Sequence, residues 1–247
     1  MKQIWKFLQK NRTRWLVPAI YLLLFFLWVF CSDELIRQLS PWLPPRNGII
    51  LRTSLPTLAL QHFLIVLVST SVAVLTALSL AIAVRLSRSE DLKMSVLAAG
   101  SIAETIPSAA IIALAVPILG YGNAPSLLAL YLYAILPVVR NAIVGMEGVP
   151  PAVHEAAEGM GMNRVQQLCK VDMPLAMPVL FAGIRMAVVI NISLATIGAT
   201  VGAGGFGVPI IAGIRTYDPI MVVQGSVPVM LMAFFADRIF RVRKNSE

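Results

Sequence analysis

Long apolar runs separated by short polar segments dominate the pattern of this chain. A helix needs about 20 predominantly apolar residues to cross the hydrocarbon of a bilayer. Six runs approach that length, and they are residues 15–31, 63–84, 94–119, 127–145, 176–200 and 220–236. The pattern therefore predicts an all-α polytopic membrane protein with about six transmembrane helices.

The composition supports a membrane protein. Of the 247 residues, 58% are hydrophobic and 13% are charged, whereas an ordinary soluble domain has roughly 25% charged residues. The net charge of +8 is spread between the apolar runs and the chain ends, while a nucleic-acid-binding protein gathers its basic residues on one soluble face. The two cysteines, Cys31 and Cys169, are too few for a disulfide framework or a cysteine-rich metal site.

Basic residues also set the predicted orientation, since cytoplasmic loops of membrane proteins carry an excess of lysine and arginine. With the amino terminus inside, fifteen basic residues lie in inner segments and four in outer ones, with Arg185 inside the fifth run. We therefore expect both termini in the cytoplasm. The predicted organisation is a basic cytoplasmic amino terminus at 1–14, a retained anchor span and outer loop at 15–62, a membrane domain at 63–236 and a basic cytoplasmic tail at 237–247. The outer loop should carry a short interfacial helix.

One long polar segment, residues 150–174, interrupts the apolar pattern between the fourth and fifth runs. Pro150 and Pro151 suit a helix start, because proline's fixed φ and missing N–H cost little in the first turn. An apolar stripe at helical spacing follows, made of Val153, Ala156, Ala157 and Met160. This stripe fits either a groove on another protein or the protein's own helices, and periodicity does not separate the two.

Glycines and a capping signal predict how the segment continues. Gly159 and Gly161 should end the first helix. Asn163, with Gln166 three residues later, forms a capping-box pair for a second helix. Pro174 should stop that second helix before the fifth span begins. We thus predict two short helices joined by a tight glycine turn.

The same segment resembles the EAA loop of ABC-importer permeases. The matching fixed positions are Glu155, Ala156, Ala157, Gly161 and Pro174. Val171 and Met173 stand where the family usually has isoleucine and leucine, which is a mild departure. The resemblance implies that the segment forms a coupling helix, which docks into a cleft of a cytoplasmic ATPase. The docking residues it implies are Glu155, Ala156, Ala157, Met160, Gly161 and Pro174.

Further motifs stand in the order seen in permeases for quaternary amines. They are Ile106-Pro107-Ser108, residues 136–141 (LPVVRN), residues 155–161 (EAAEGMG), residues 182–185 (AGIR) and residues 202–207 (GAGGFG). The chain from 63 to 236 is therefore similar to binding-protein-dependent importers that take up glycine betaine, choline, carnitine or related osmoprotectants. The resemblance implies a type I ABC importer permease fold.

The resemblance also implies partners. We expect two cytoplasmic ABC ATPase subunits, a second permease subunit (identical or homologous) and an extracytoplasmic substrate-binding protein, all at a bacterial inner membrane. The chain has no G-x-x-x-x-G-K-[ST] sequence, so ATP should bind to a partner. His154 has no second histidine at the spacing of a zinc site, and we expect no metal, no cofactor and no catalytic residue. Three alternatives stay open: a permease for another small polar solute such as an amino acid, a secondary transporter driven by an ion gradient, and a non-transporting membrane scaffold, against which the polar residues inside the spans argue.

Polar residues inside the apolar runs are candidates for the transport pathway or for helix pairing. Glu104 and Asn191 are the two most prominent ones, and for each of them both roles stay open. Pro107 should kink its helix, since it removes a backbone hydrogen bond. Arg140 and Arg185 lie near inner helix ends, where we expect their heads to bind the carboxylates of the 150–174 segment.

A glycine-rich sequence follows the fifth run. Gly202, Gly204 and Gly207 spell the dinucleotide fingerprint, which requires a strand before it and a helix after it. Because these glycines follow a predicted membrane span, we interpret them as a turn on the outer side. Gly204 and Gly205 are then candidates for shaping the outer mouth of the pathway or contacting the binding protein.

Overall fold

Ten α-helices make up most of the computed structural model, which describes residues 2–39 and 53–244. They are α1 (Lys2–Leu39), α2 (Leu55–Ser87), α3 (Glu90–Thr105), α4 (Ser108–Leu119), α5 (Asn123–Glu147), α6 (Pro151–Gly159), α7 (Arg164–Gln167), α8 (Met173–Leu194), α9 (Gly207–Thr216) and α10 (Pro219–Lys244). A π-helical turn at Leu168–Asp172 joins α7 to α8, and a 3-10 turn at Ile197–Val201 follows α8. The described residues contain no strand, in agreement with the predicted all-α class.

Five helices in the described residues are long and apolar enough to cross a membrane. Their spans are Trp15–Ser32, Leu55–Ser87, Asn123–Glu147, Arg164–Leu194 and Pro219–Phe240. The third predicted run is a bent pair instead, in which α3 and α4 meet at 92°. Pro107 therefore breaks the helix rather than kinking it. Ile106 takes an extended backbone (φ −82°, ψ 124°), because a following proline disfavours the helical conformation.

The helices alternate between two ends of the bundle. The insert end carries residues 150–174 together with the last turn of α2 and the first turn of α8. The far end carries the first turns of α2 and the residues 195–206 that follow α8. Between these ends, α5 packs along both α2 and α8, while α1 packs chiefly against α10.

Small side chains line the central contact of α5 with α2 and α8. The fully buried alanines here are Ala73, Ala77, Ala81, Ala134, Ala142, Ala176 and Ala187. Small residues let helix backbones approach closely within a membrane. At Gly183 the approach leaves no room for a side chain, since an added Cβ would lie 2.5 Å from the carbonyl oxygen of Pro137.

The second span begins earlier than predicted, at Leu55 rather than at residue 63. The apolar pattern predicts a span from residue 63 and leaves residues 55–62 in the outer loop. In the structure the Gln61 side chain accepts a hydrogen bond from the backbone of the far-end turn, and the His62 ring donates to a backbone carbonyl of α8. Because the bundle supplies partners for Gln61 Oε1 and His62 Nε2, the helix continues through these two residues.

The outer loop is correspondingly shorter than predicted. α1 continues to Leu39, beyond the end of the first apolar run. The interfacial helix expected in this loop would fall on residues 40–52, which lie outside the described residues.

The fifth span differs from its prediction at both ends. Pro174 does not stop the second helix of the insert, because α7, the π turn and α8 form one continuous span, Arg164–Leu194. The Met173 N–H donates to the carbonyl of Leu168, five residues back. This wider π turn precedes Pro174, which then lies in the first turn of α8, where its missing N–H costs little. At the far end the helix stops at Leu194, short of residue 200, and α9 is an additional helix that we did not predict.

Candidate functional site

The first helix of the 150–174 segment forms as predicted, as α6 (Pro151–Gly159). Beyond it, Gly161 takes a φ of +76°, a left-handed backbone that glycine adopts without strain. The Met162 N–H donates to the Ala157 carbonyl (3.1 Å), and the Gly161 N–H donates to the Glu158 carbonyl (2.9 Å). This is the Schellman arrangement that ends a helix. The turn after α6 therefore depends on a glycine for its backbone.

The apolar stripe of α6 divides between the bundle and the surface. Ala157 is 1% exposed, whereas Met160 is 69% exposed. Val153 is half-buried and Ala156 is exposed. The exposed side also includes Glu155, Glu158 and Gly159. The chain's own helices thus cover Ala157 fully and Val153 partly, whereas Ala156 and Met160 are uncovered in this chain.

The predicted capping box is present at the start of α7. The Asn163 side chain accepts from the Gln166 N–H (2.9 Å), and the Gln166 side chain accepts from the Asn163 N–H (2.9 Å). The buried Gln167 side chain also donates to the Met162 carbonyl (3.1 Å). The glycine turn is thus held by hydrogen bonds from the helix that follows it.

A polar cluster fastens the insert to the bundle. Arg85 Nε, at the end of α2, donates to Asp172 Oδ2 in the π turn at 2.7 Å. His154 of α6 is the third member, with its Nε2 3.4 Å from Arg85 Nη2 and 3.6 Å from Asp172 Oδ1. The Asp172 side chain is 2% exposed. We call these three residues the anchor cluster, since they join α2, α6 and the start of α8.

The two arginines assigned to this role from the sequence lie elsewhere. Arg140 is exposed and its Nη2 lies 3.5 Å from Ser101 Oγ on α3. Arg185 Nε pairs with Asp237 Oδ1 at 2.8 Å and so links α8 to α10. Neither of these contacts involves a carboxylate of the insert. Snorkelling at helix ends was a sound expectation for both, but in the part of the chain that the structure describes it is Arg85 that pairs with a carboxylate of the segment, Asp172.

Charged residues also line a crevice of about 410 Å³ beside α6. It lies between α6 and the ends of α2 and α5. Arg88 and Glu147 line it on the bundle side, and Glu155 and Glu158 line it on the α6 side. The uncovered face of α6 therefore adjoins a cleft that carries both signs of charge.

The bend between α3 and α4 holds two other candidates. Glu104 lies in the last turn of α3, and Pro107 directly precedes α4. Both residues are exposed. The Tyr133 hydroxyl of α5 donates to the Ile106 carbonyl between them, which fixes the broken backbone to the central helix.

The glycine turn at the far end packs against α2. Gly204 and Gly205 take φ values of +78° and +72°. The Gly205 N–H donates to Gln61 Oε1 at 3.1 Å. An added Cβ on Gly204 would lie 2.4 Å from Gln61 Oε1, and one on Gly205 would lie 3.0 Å from His62 Nδ1. The turn follows a 3-10 segment rather than a strand, so its glycines serve close packing and lack the setting of a dinucleotide site.

Asn191 forms a buried link between α8 and α2. It is fully buried. Its Nδ2 donates to Thr70 Oγ1 (2.9 Å) and to Ser69 Oγ (3.3 Å). One residue further along α8, the Ile192 carbonyl accepts from His62 Nε2 (3.0 Å). These contacts support the helix-pairing role for Asn191, one of the two alternatives left open by its sequence position.

Sequence reasoning missed the anchor cluster. Arg85 was counted only among the inner basic residues, and His154 was considered only as a zinc ligand. Asp172 occupies the variable position between Val171 and Met173 of the motif, where a resemblance to a family assigns no role. A usable signal was charge: Asp172 is an acid at the start of a span, and Arg85 is a base at the end of another on the same predicted side.

Comparison with known protein families matches residues 73–243 to the model described as "Binding-protein-dependent transport system inner membrane component". Similar curated proteins include the glycine betaine/carnitine/choline transport system permease protein OpuCB of Bacillus subtilis. It is 35% identical over 74% of this chain and 83% of its own length. The osmoprotectant import permease protein OsmW of Salmonella typhimurium is 36% identical over 74% of this chain and 86% of its own length.

Among solved structures, the chain resembles the MetNI methionine ABC transporter in an inward-facing conformation. The TM-score is 0.62, with 22% sequence identity, over 73% of this chain and 92% of that chain. At this identity the likeness shows the fold alone, and it confirms the type I importer permease architecture expected from the motifs.

Proposed function

Because the chain belongs to the family of inner-membrane components of binding-protein-dependent transport systems, we propose that it is the permease of an ATP-driven importer for glycine betaine or related quaternary-amine osmoprotectants. The substrate class is supported by the names of two relatives, OpuCB and OsmW, which are 35% and 36% identical over 74% of this chain. The motifs at residues 106–108, 136–141, 182–185 and 202–207 favour the same class. An amino-acid substrate has weaker support, since the likeness to the methionine transporter is one of fold.

The observation that carries the mechanism is the uncovered face of α6. The opposite side of α6 is held against the bundle by Ala157 and the anchor cluster, while Ala156 and Met160 are exposed. Short apolar side chains flanked by carboxylates suit insertion into a groove on another protein. We infer that an ATPase subunit covers this face, and that Glu155 and Glu158 meet basic side chains of that subunit.

In this proposal the insert end faces the cytoplasm, and both termini lie there with it. The fifteen-to-four excess of basic residues on that side supports this orientation. Residues 1–14 and 237–247 are then basic cytoplasmic ends, and 63–236 holds most of the membrane domain, with the second span now extended to Leu55. Residues from 15 up to that helix hold the anchor span and the outer loop.

In this proposal the permease transports its solute by changing conformation, and it forms or breaks no covalent bond itself. ATP binding draws two ATPase subunits together, and each docked α6 passes that movement to its own spans. The pathway then opens alternately to the two sides. A second permease subunit completes the pathway, and a binding protein delivers the solute at the far end, beside the turn that contains Gly204 and Gly205. Glu104, at the exposed bend of α3 and α4, is our candidate for a residue facing the pathway.

Sidedness can be tested with the two native cysteines, both of which are exposed. In a Cys31→Ser variant, a membrane-impermeant maleimide should label Cys169 in inside-out vesicles and not in intact cells. As a matched control, Cys31→Ser/Cys169→Ser/Tyr121→Cys places a thiol in the far-end loop, where Tyr121 is 81% exposed. That variant should label in intact cells, and the opposite pattern would overturn the orientation.

Uptake tests the energy source and the substrate together. The chain purified from its own host in mild detergent should bring an ATPase with it. Vesicles containing the whole transporter should take up radiolabelled glycine betaine, choline or carnitine only with ATP and the binding protein. Uptake by this chain alone, driven by an ion gradient, would contradict the proposal and favour a secondary transporter. If the transporter takes up amino acids and no quaternary amine, the permease role stands and the proposed substrate class is wrong.

A further inference from the structure

The Arg85 guanidinium contacts both other members of the anchor cluster. Its Nε donates to Asp172 Oδ2 at 2.7 Å, and its Nη2 lies 3.4 Å from His154 Nε2. Asp172 Oδ1 also faces His154 Nε2 at 3.6 Å, and it has no hydrogen-bond partner among the described residues. Arg85 is therefore the group shared by α6 and the π turn. Through it, the helix with the uncovered face contacts both α2 and the start of α8.

α2 and α8 are tied to each other at two levels. Near the insert end, the link is the 2.7 Å pair of Arg85 and Asp172. Toward the far end, the links are the bond from Asn191 to Thr70 and the bond from His62 to the Ile192 carbonyl. Two helices pinned at both ends tend to move as one body, because sliding would break buried hydrogen bonds at one end or the other. A displacement applied to α6 thus reaches two spans at once.

We propose that Arg85, Asp172 and His154 are positioning residues that pass the displacement of α6 to α2 and α8 as one unit. This inference rests on the proposed function, since it requires an ATPase that moves α6. It concerns the connection between α6 and the spans, and it is separate from the docking face of α6 itself.

A purely structural role makes a different prediction. A buried ion pair contributes little net stability compared with apolar residues of similar volume, so a matched apolar pair is often tolerated or even stabilising. If the cluster only holds the fold, replacing both charges with apolar side chains should preserve transport. If the cluster transmits movement, that replacement should preserve the fold but reduce transport, because the movement of α6 no longer reaches α2 and α8.

The experiment uses the whole transporter reconstituted in vesicles, and it measures solute imported per ATP hydrolysed. The variants are His154→Ala and the double variant Arg85→Met/Asp172→Leu. Asp91→Asn is the matched control, because Asp91 is an exposed acid at the insert end, in the first turn of α3. Co-purification of the ATPase and the melting temperature of the permease are recorded for each.

We expect both cluster variants to lose about tenfold in solute imported per ATP, the size of a typical coupling between two sites. ATPase co-purification and melting temperature should match those of the wild type, and Asp91→Asn should import at the wild-type ratio. A wild-type ratio in the double variant would overturn the inference. His154→Ala leaves the ion pair of Arg85 and Asp172 in place, so it serves as the test if the double variant fails to accumulate. A wild-type import ratio in His154→Ala would then overturn the inference. A wild-type chain that binds no ATPase would instead contradict the proposed function.

Discussion

Glycine ends a helix or makes a turn at both ends of this molecule, for opposite reasons. At the insert end, an added Cβ on Gly159 or Gly161 would meet nothing within 4 Å. At the far end, an added Cβ on Gly204, Gly205 or Gly207 would meet Gln61, His62 or the backbone of Thr196 at 3.0 Å or less. The turn at the insert end needs glycine for its backbone conformation and has open space around it. At the far-end turn, other residues of the chain fill the space that a side chain would occupy.

This contrast separates two kinds of site that look alike in sequence. Both turns have closely spaced glycines, and the ones with positive φ are Gly161 at the insert end and Gly202, Gly204 and Gly205 at the far end. The far-end turn is completed within the chain, so substitutions there should act on folding. The insert turn is open, so substitutions there should act on what binds to it. Substitutions at the two ends of the molecule test this division, and the largest effect is expected at the far end.

The strongest disruption is expected at Gly207. An added Cβ would lie 2.0 Å from the Thr196 carbonyl oxygen and 2.8 Å from Ala199 Cβ. Overpacking against backbone shifts whole segments, so Gly207→Ala should lower the free energy of unfolding by about 3 kcal/mol. Gly159→Ala is the matched control at the insert end, and it should cause no loss, since alanine is favoured over glycine in a helix by about 1 kcal/mol. Denaturant unfolding of the purified protein in detergent measures both, and equal losses would contradict the division.

At the insert end, Gly161→Arg should leave the bundle folded and abolish most transport, although arginine in the left-handed backbone of this turn adds local strain of about 1–2 kcal/mol. The substitution adds bulk and charge to the open side of the turn, at the edge of the proposed docking face. We expect uptake to fall about 30-fold, the equivalent of losing one interface hot spot of about 2 kcal/mol. Gly161→Asn is the control, because asparagine tolerates the left-handed backbone and adds little bulk, and it should keep most of the uptake. A folded Gly161→Arg variant with normal uptake and ATPase binding would refute docking at this turn.

A smaller effect is expected from the buried amide that links α8 to α2. Asn191→Leu keeps the volume and removes the donor to Ser69 and Thr70. Interhelical hydrogen bonds of this kind contribute about 1 kcal/mol in a membrane, so the unfolding free energy should fall by that amount. Ser193→Ala is the control, since the exposed Ser193 hydroxyl donates to the Val189 carbonyl of its own helix, and its effect should be close to zero. A loss of uptake with no loss of stability would instead place Asn191 in the pathway.

The features predicted correctly from the sequence are those that depend on neighbouring residues. The helix start at Pro151, the glycine turn at Gly161 and the capping box of Asn163 and Gln166 are confirmed. Each depends on residues within about one helical turn, where backbone rules alone decide the outcome. The number of apolar runs follows from length and composition in the same way.

Several incorrect predictions involve partners distant in the chain, whereas two are local: Pro107 breaks its helix instead of kinking it, and Pro174 does not stop the second helix of the insert. Gln61 and His62 were placed outside the membrane because their bonding partners, more than a hundred residues away, are not visible in a linear pattern. Arg140 and Arg185 were paired with the insert, where Arg85 reaches it instead. The sequence shows which residues need a partner, but it does not show which of several equivalent arginines the fold brings close.

The smallest effect on stability is expected at the bend of α3 and α4. Glu104 is exposed in the last turn of α3, and exposed substitutions away from packed contacts change the unfolding free energy by less than about 0.5 kcal/mol. Glu104→Gln should therefore leave stability unchanged. An acid kept inside an apolar helix pair is costly unless it faces water or a partner, so we expect uptake to fall several-fold in this variant, while Asp91→Asn leaves it unchanged. Normal uptake in Glu104→Gln would remove this residue from the pathway and leave the bend with a structural role only.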